Sequence, residues 1–432
     1  MIIQQTGRRS NALAIDGGQP VRNGRAWPAW PRYDGATEQA VVDAIRARRW
    51  TVSWPGDGSR SRERRFAEAF AGYNGVPYCV SVDHGSSALL VALEALDVGA
   101  GDEVVVPAMT WVAPATAVLR AGALPVLADV DAETGCVTAD TIREALSERT
   151  KAIIVVHLGC TVADLDGILA LAAESGVKVI EDCAQAHGAR WRGRPVGTHG
   201  AAGAFSFQAG KVLAAGEGGA VITSDPETYR RAQQLRADSR RYPDDDAAPG
   251  EMELVEQGDV LGANYCMSEL AASVLLDQLP RLDADHVHRE QVAQELELGL
   301  AELGDFGPIP LPPQADKRSV YEYGIRFAPG TFGDAPASRV GAALSAELGI
   351  GWFPPDDPLH RSIMLRPETK RRYAAVWTDE GRRRALHRSF DGCERFCETT
   401  LLCHHRVLLG DSVDVQDIVR ALDKVRSGHD AL

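Results

Sequence analysis

A lysine closes the segment Ser206-Phe207-Gln208-Ala209-Gly210-Lys211, and the small-residue run Ala214-Ala215-Gly216-Glu217-Gly218-Gly219 follows it. An amine among small residues, just past a buried apolar run, is poorly solvated. Desolvation lowers an ammonium pKa, and a neutral amine is what Schiff-base chemistry with an aldehyde needs. Taken alone, a surface lysine in a glycine-rich turn is the simpler reading.

Three other segments hold residues of comparable promise. Asp182 ends the apolar run 177–182, where a carboxylate can hold a protonated ring nitrogen, a metal or a ribose. Gln185 and His187 follow it in the small-residue turn Cys183-Ala184-Gln185-Ala186-His187-Gly188-Ala189. His84-Gly85-Ser86-Ser87 precedes a helical run, so free N–H groups and the positive end of a helix dipole converge there, as a phosphate requires. A plain N-cap by Ser86 explains that segment equally well. Trp111, after the run 103–108, offers a flat face for a planar group or for a core. Together the segments supply a phosphate cup, a stacking face, a carboxylate for a ring nitrogen and a lysine for an aldehyde. Those are the groups that pyridoxal 5'-phosphate requires.

The elements that must position these residues are legible in the same stretch. Apolar, β-branched runs fall at 78–82, 103–108, 124–130, 151–158, 177–183, 203–207 and 219–224, with helical segments between most of them. Strands that are apolar throughout, joined by helices, imply a mostly parallel sheet covered on both faces. Ligands of such sheets bind at the carboxyl ends of strands, where each of the four segments falls. The expected layout is an irregular arm over 1–35, a large domain over 36–285 and a small C-terminal α+β domain over 286–432. Residues 36–75 read as mostly helical, 236–260 as an exposed loop, 267–303 as one long helical stretch and 369–388 as a charged helix.

The chain has 432 residues and a net charge of -14, with 45% apolar and 25% charged residues. An acidic chain of this composition is expected to be a soluble protein that binds neither nucleic acid nor an anionic membrane. No apolar run is long enough to span a bilayer, and no secretion signal is evident, so a cytoplasmic location is expected. The eight cysteines are scattered, and Cys393 and Cys397 with His404 and His405 match no familiar zinc spacing. Reduced thiols and no metal are expected.

The wording of several segments resembles the DegT/DnrJ/EryC1/StrS group of sugar and cyclitol aminotransferases, from about Ala14 to Val425. The segments are IDGGQPVR, WPAWP, SFQAGKVLAAGEGGA, NYCMSEL, SVYEYGIRF, PLHRS and HHRVLLG. The resemblance is nearest to the branch acting with L-glutamine on keto-cyclitols such as scyllo-inosose. It implies the aspartate aminotransferase-like fold type I of pyridoxal-phosphate enzymes and a homodimer with shared active sites. It also implies transfer of an amino group from L-glutamine, or another amino acid, to a cyclic ketone in aminoglycoside-type biosynthesis. Lys211 would carry the cofactor and Asp182 would bind its ring nitrogen. Gln185 would bond the ring 3-oxygen, and Trp111 would stack on the ring. Gly85, Ser86, Ser206 and Gln208 would hold phosphate, with Asn264 reaching phosphate from the neighbouring subunit. His187 would lie near the ring as a catalytic residue with Lys211 and Asp182, and Tyr321 and His360 would face substrate. A keto-sugar acceptor and an elimination of the 3-amino-5-hydroxybenzoate synthase type are the alternatives. The chain departs from the group at His84, usually Asn or Ser, at Gly159, often Tyr, and at Cys266, often Arg outside the cyclitol branch. Relatives that act as dehydratases replace the lysine by His, and Lys211 argues against that activity.

Overall fold

The computed structural model describes residues 12–386 and 388–432, so residues 1–11 of the expected arm lie outside the described part. Each apolar run of the first half forms a strand. They are β1 (Tyr78–Val82), β2 (Glu103–Pro107), β3 (Leu124–Ala128), β4 (Thr150–Val156), β5 (Lys178–Asp182), β6 (Ala202–Ser206) and β7 (Gly219–Thr223). They make one sheet in the order β1-β7-β6-β5-β4-β2-β3. β7 runs antiparallel to both its neighbours, and the other adjacent pairs are parallel. Side chains of β2 and β3 are buried throughout, which is what helices on both faces of a sheet impose. A mostly parallel sheet with one reversed strand, covered by helices, is the α/β arrangement expected from the sequence.

Register sets the geometry of the site. Asp182 lies between Val156 of β4 and Ala204 of β6. Gly219 of β7 lies between Val82 of β1 and Ser206 of β6. The reversed strand therefore brings the turn after β1 against the end of β6. Phe66, Phe70, Phe205 and Phe207 pack edge-to-face or stacked, with ring centroids 5.0–5.6 Å apart, and secure that end of the sheet. Such pairs add about 0.5–1.5 kcal/mol each beyond the apolar area they bury.

Past the sheet the helical stretch is broken. Helix Glu269–Gln278 passes through a 3-10 turn at Leu279–Arg281, where Pro280 cannot supply an N–H, into helix Leu282–Leu303. The expected boundary at 285/286 falls inside that second helix. It packs against helix Ser412–Ser427 beside an antiparallel sheet of Phe306–Pro308, Glu322–Phe327, Thr400–His404 and Trp352–Phe353.

Three other local expectations need correction. Residues 36–75 are two helices, Gly35–Arg46 and Arg62–Asn74, separated by a loop. Among the described residues of 369–388 the α-helix is only Asp379–Ala385, N-capped by Thr378. The 236–260 stretch is not simply exposed: Ala237, Tyr242 and Leu254 form a small core with Val52, over a buried Glu63–Arg236 ion pair at 2.7 Å. The arm is irregular but tied down. Buried Arg22 bonds Asp414 and Asp417 at 2.6 and 3.0 Å, and Trp30 reaches the Lys211 loop. Among the described residues no helix is long and apolar enough to cross a membrane.

Candidate active site

A cavity of about 530 Å³ opens at the carboxyl ends of β1, β5 and β6. At one end is the start of helix Gly85–Ala95. Its N-cap residue His84 makes no side-chain cap bond, and no acidic residue stands in the first turn. The first-turn N–H groups therefore face the cavity mouth with nothing from their own cap to satisfy them. A Cβ on Gly85 would lie 2.6 Å from the Ser206 Cβ, so glycine is needed for this approach. Ser86, Ser206 and Gln208 complete the cup.

The floor holds Asp182, only 6% exposed. Its Oδ1 accepts the Ala184 N–H at 3.0 Å, and no ion pair reaches it among the described residues. Burial pushes its carboxyl up, and the Ala184 bond and the Lys211 charge oppose that only in part. A buried carboxylate so poorly compensated fits a protonated ring nitrogen. Beneath it, Glu181 is fully buried and accepts the N–H groups of Gly197, His199 and Gly200 at 2.6–2.8 Å. Burial works against its charge, but the bonds from His157 and those backbone groups outweigh it and hold the carboxyl low. His157 accepts the Ala163 N–H at Nδ1, so its Nε2–H donates to Glu181.

Gln185 is aimed by Gly159. The Gly159 N–H donates to Gln185 Oε1 at 2.6 Å, which leaves the amide NH2 group for the cavity. Gly159 has φ +62°, a conformation that favours glycine. The departure at this position thus serves the turn that holds Gln185.

Lys211 projects from the turn after β6 and its Nζ lies 3.8 Å from the Tyr321 ring centroid. Burial lowers its ammonium pKa, and the carboxylates of Asp182, Glu322 and Asp356 oppose that shift. Trp111 lines the cavity and is 51% exposed.

Two expected residues stand elsewhere. His187 does not line the cavity. It is buried behind β6 and donates from Nε2 to the Ser206 carbonyl at 2.8 Å, with burial taking its pKa down to about 3. His360 does not face the cavity either. The Leu359 N–H is anchored to the Ala108 carbonyl, and His360 turns to Glu394 at 3.0 Å and stacks on Phe390. Asn264 is exposed and does not line this chain's cavity; its Oδ1 accepts the Cys266 N–H at 3.2 Å.

The structure adds Glu322, Asp356 and Phe353, which bring an acidic and aromatic wall from the small domain. Neither carboxylate has a hydrogen bond or ion pair among the described residues. Burial raises Glu322 to about 7 against the pull of Lys211. Glu322 stood in the family-like wording SVYEYGIRF, but nothing in the sequence pointed it at Lys211. Asp356 lies in an irregular segment with no pattern to read.

The family model described as the DegT/DnrJ/EryC1/StrS aminotransferase family matches residues 33–370. The L-glutamine:2-deoxy-scyllo-inosose aminotransferase of Streptomyces fradiae is 44% identical, covering 97% of this chain and 98% of the relative. The L-glutamine:scyllo-inosose aminotransferase of Streptomyces griseus is also 44% identical, covering 96% and 97%. Among solved structures, 3-amino-5-hydroxybenzoic acid synthase superposes with a TM-score of 0.78 at 30% identity, over 93% of this chain and 98% of that one. An aminotransferase from Psychrobacter cryohalolentis gives 0.80 at 29% identity, over 93% and 99%. A cup for phosphate, a buried carboxylate and a desolvated lysine thus meet in a chain that belongs to the DegT/DnrJ/EryC1/StrS aminotransferase family and is a pyridoxal-phosphate-dependent aminotransferase.

Proposed function

We propose that this enzyme moves an amino group from L-glutamine to a keto-cyclitol, scyllo-inosose or its 2-deoxy form, as a cytoplasmic homodimer in aminocyclitol antibiotic biosynthesis. The observation that carries the reading is the wall of Tyr321, Glu322 and Asp356 opposite the residues suited to the cofactor. A neutral ring bearing many hydroxyls supplies the donors that two unpartnered carboxylates lack. No arginine lines the cavity among the described residues, so its wall has no fork for the phosphates of a nucleotide-linked sugar.

Pyridoxal phosphate supplies the electron sink that makes the amino-acid Cα–H acidic and the aldehyde that accepts the amino group. Gly85, Ser86, Ser206 and Gln208 bind its phosphate. Asp182 holds the proton on the ring nitrogen, Gln185 donates to the ring 3-oxygen and Trp111 covers the ring. Lys211 is the residue that would hold the cofactor's aldehyde carbon in the resting enzyme. Its freed amine would be the base that takes the Cα proton and the acid that gives it to the former aldehyde carbon, on the far side of the nitrogen. His187 sets the Ser206 carbonyl and does not meet substrate. Asn264 serves the phosphate of the neighbouring subunit. Its exposed position beside Leu261, 95% exposed, supports a second copy on that face.

The test is incubation of the holoenzyme with L-glutamine and scyllo-inosose, with detection of the aminocyclitol. Product formation supports the reading. A ring-aromatised product from an aminoshikimate-type substrate, with no aminocyclitol, would replace it by the synthase-type elimination.

Glu322→Gln and Asp356→Asn are expected to weaken the ketone half-reaction more than the glutamine half-reaction. A hydrogen bond to a charged group is worth about 1.5–3 kcal/mol, so kcat/KM for the ketone should fall about 10- to 100-fold for Glu322→Gln. With its carboxyl at about 7, Glu322 is protonated and loses its strongest acceptor form as pH falls through that value. The ketone kcat/KM should drop below that pH in the native enzyme and flatten in Glu322→Gln. Equal loss in both half-reactions would remove the carboxylates from acceptor recognition.

A further inference from the structure

His405 lies at a junction of three parts of the chain. Its Nδ1 accepts the Arg289 Nε–H at 3.2 Å, so the ring proton is on Nε2. That Nε2–H donates to the Gly210 carbonyl at 3.2 Å. Gly210 immediately precedes Lys211. The carbonyl before it, Ala209, accepts the Trp30 indole N–H at 3.0 Å. Trp30 stands edge-on to His405, with ring centroids 4.5 Å apart, and the Arg289 guanidinium lies 5.3 Å from a Trp30 ring centroid. The backbone N–H of His405 donates to the Tyr321 carbonyl at 3.1 Å, and the Tyr321 ring is the one against Lys211 Nζ. His405 therefore reaches Lys211 by two routes: the peptide that carries its backbone and the ring that meets its amine.

The donors behind these contacts are buried. His405 is 0% and Arg289 1% exposed. Arg289 Nη1 and Nη2 have no hydrogen-bond partner among the described residues. Asp285 favours the Arg289 charge only from a distance, with no direct ion pair among the described residues, and a buried guanidinium so placed is costly for packing alone. Its Nε–H polarises the neutral imidazole and so strengthens the bond that the imidazole donates onward. A merely space-filling residue would have no use for that charge.

We propose that Arg289 acting through His405, together with Trp30 of the N-terminal arm, is a positioning device that fixes the Ala209 and Gly210 carbonyls and so sets where the Lys211 amine points. None of the three lines the cavity, so all act through the loop. The small domain and the arm thereby take part in aligning a lysine carried by the large domain. Misplacing a reacting group by about 1 Å can cost about 10²-fold in rate.

The test uses the holoenzyme and three variants: His405→Leu, His405→Gln and Trp30→Phe. His405→Gln keeps a side-chain N–H near the place of Nε2, whereas His405→Leu keeps only bulk. Trp30→Phe removes one N–H and keeps a ring. The readouts are the visible circular-dichroism band of the bound cofactor and single-turnover decay of that band with L-glutamine. The band needs only the cofactor, so this part stands whether or not glutamine is the donor. His405→Leu should change the band and slow the donor step about 10- to 100-fold at little change in KM. His405→Gln should restore most of both, and Trp30→Phe should shift both in the same direction by less. An unchanged band and rate in His405→Leu would overturn the proposal, as would equal losses in His405→Leu and His405→Gln. If His405→Leu does not fold, Trp30→Phe decides: native band and rate there overturn it.

Discussion

Lys211→Ala is expected to lower amino transfer by more than about 10⁴-fold, because in the proposed mechanism one amine would both hold the cofactor aldehyde and move the proton. Half-buried Lys211 sits against the Tyr321 ring, and burial already weakens its hold on a proton. An amine whose hold on a proton is weakened by burial attacks a carbonyl and accepts a Cα proton more readily than a solvated one. Alanine removes both abilities and leaves the phosphate cup and Asp182 untouched, so the variant should still bind the cofactor. Lys211→Arg keeps a cation but not a nucleophile, and should be as inactive. The measurement is aminocyclitol formation alongside the visible spectrum. The native protein should show a band near ~410–420 nm that the Lys211→Ala variant lacks. More than about a tenth of native turnover in Lys211→Ala would remove Lys211 from the chemistry.

Asp182→Asn carries the second-largest expected loss, about 10²- to 10³-fold in kcat, the cost typical of removing one preorganised electrostatic partner. The amide has the same shape and can keep the bond to the Ala184 N–H, so the fold around β5 should survive. It has no charge with which to keep a proton on the ring nitrogen, and the electron sink weakens. Asp182 is well placed to show this cleanly. It has one hydrogen bond from protein, and burial already destabilises its charge. Binding of a ring cation relieves that penalty, so affinity for the cofactor should fall as well. Asp182→Glu, which keeps the charge but lengthens the reach, should recover part of the rate. Native kcat in Asp182→Asn would show that the ring is used unprotonated.

The residues that sequence reading reached share one property: each is placed by its own strand end. Asp182 and Ser206 close apolar runs, and Gly85 and Ser86 open the helix after one. Strand order and direction are nearly enough to bring such residues together, since ligands of parallel sheets lie at their carboxyl edge. The conformation of Lys211's turn follows from the small residues around it. Family-like wording then tied Gln185 and Tyr321 to the same cavity, and both line it. Shape and chemistry of the cofactor half of the site are therefore local properties of the chain.

Other features depended on contacts between distant segments. Glu322 and Asp356 join the cavity only because the helices 269–278 and 282–303, broken at Pro280, lead the small domain back over the sheet. His360 belongs to a segment whose wording suggested substrate, but the anchor of Leu359 on Ala108 and the pull of Glu394 turn its ring away. Charged residues 369–388 have the composition of a helix, yet among the described ones only 379–385 form an α-helix. Propensity is a weak prior that tertiary context overrides. The His405 junction joins Trp30, Gly210 and Arg289, which are separated by 180 and 79 positions in turn (210 less 30, 289 less 210). Periodicity reports which face of an element is buried, and strand ends report where a ligand sits. Neither reports which side chains from another domain will face it, because that is decided by how two separately patterned cores pack.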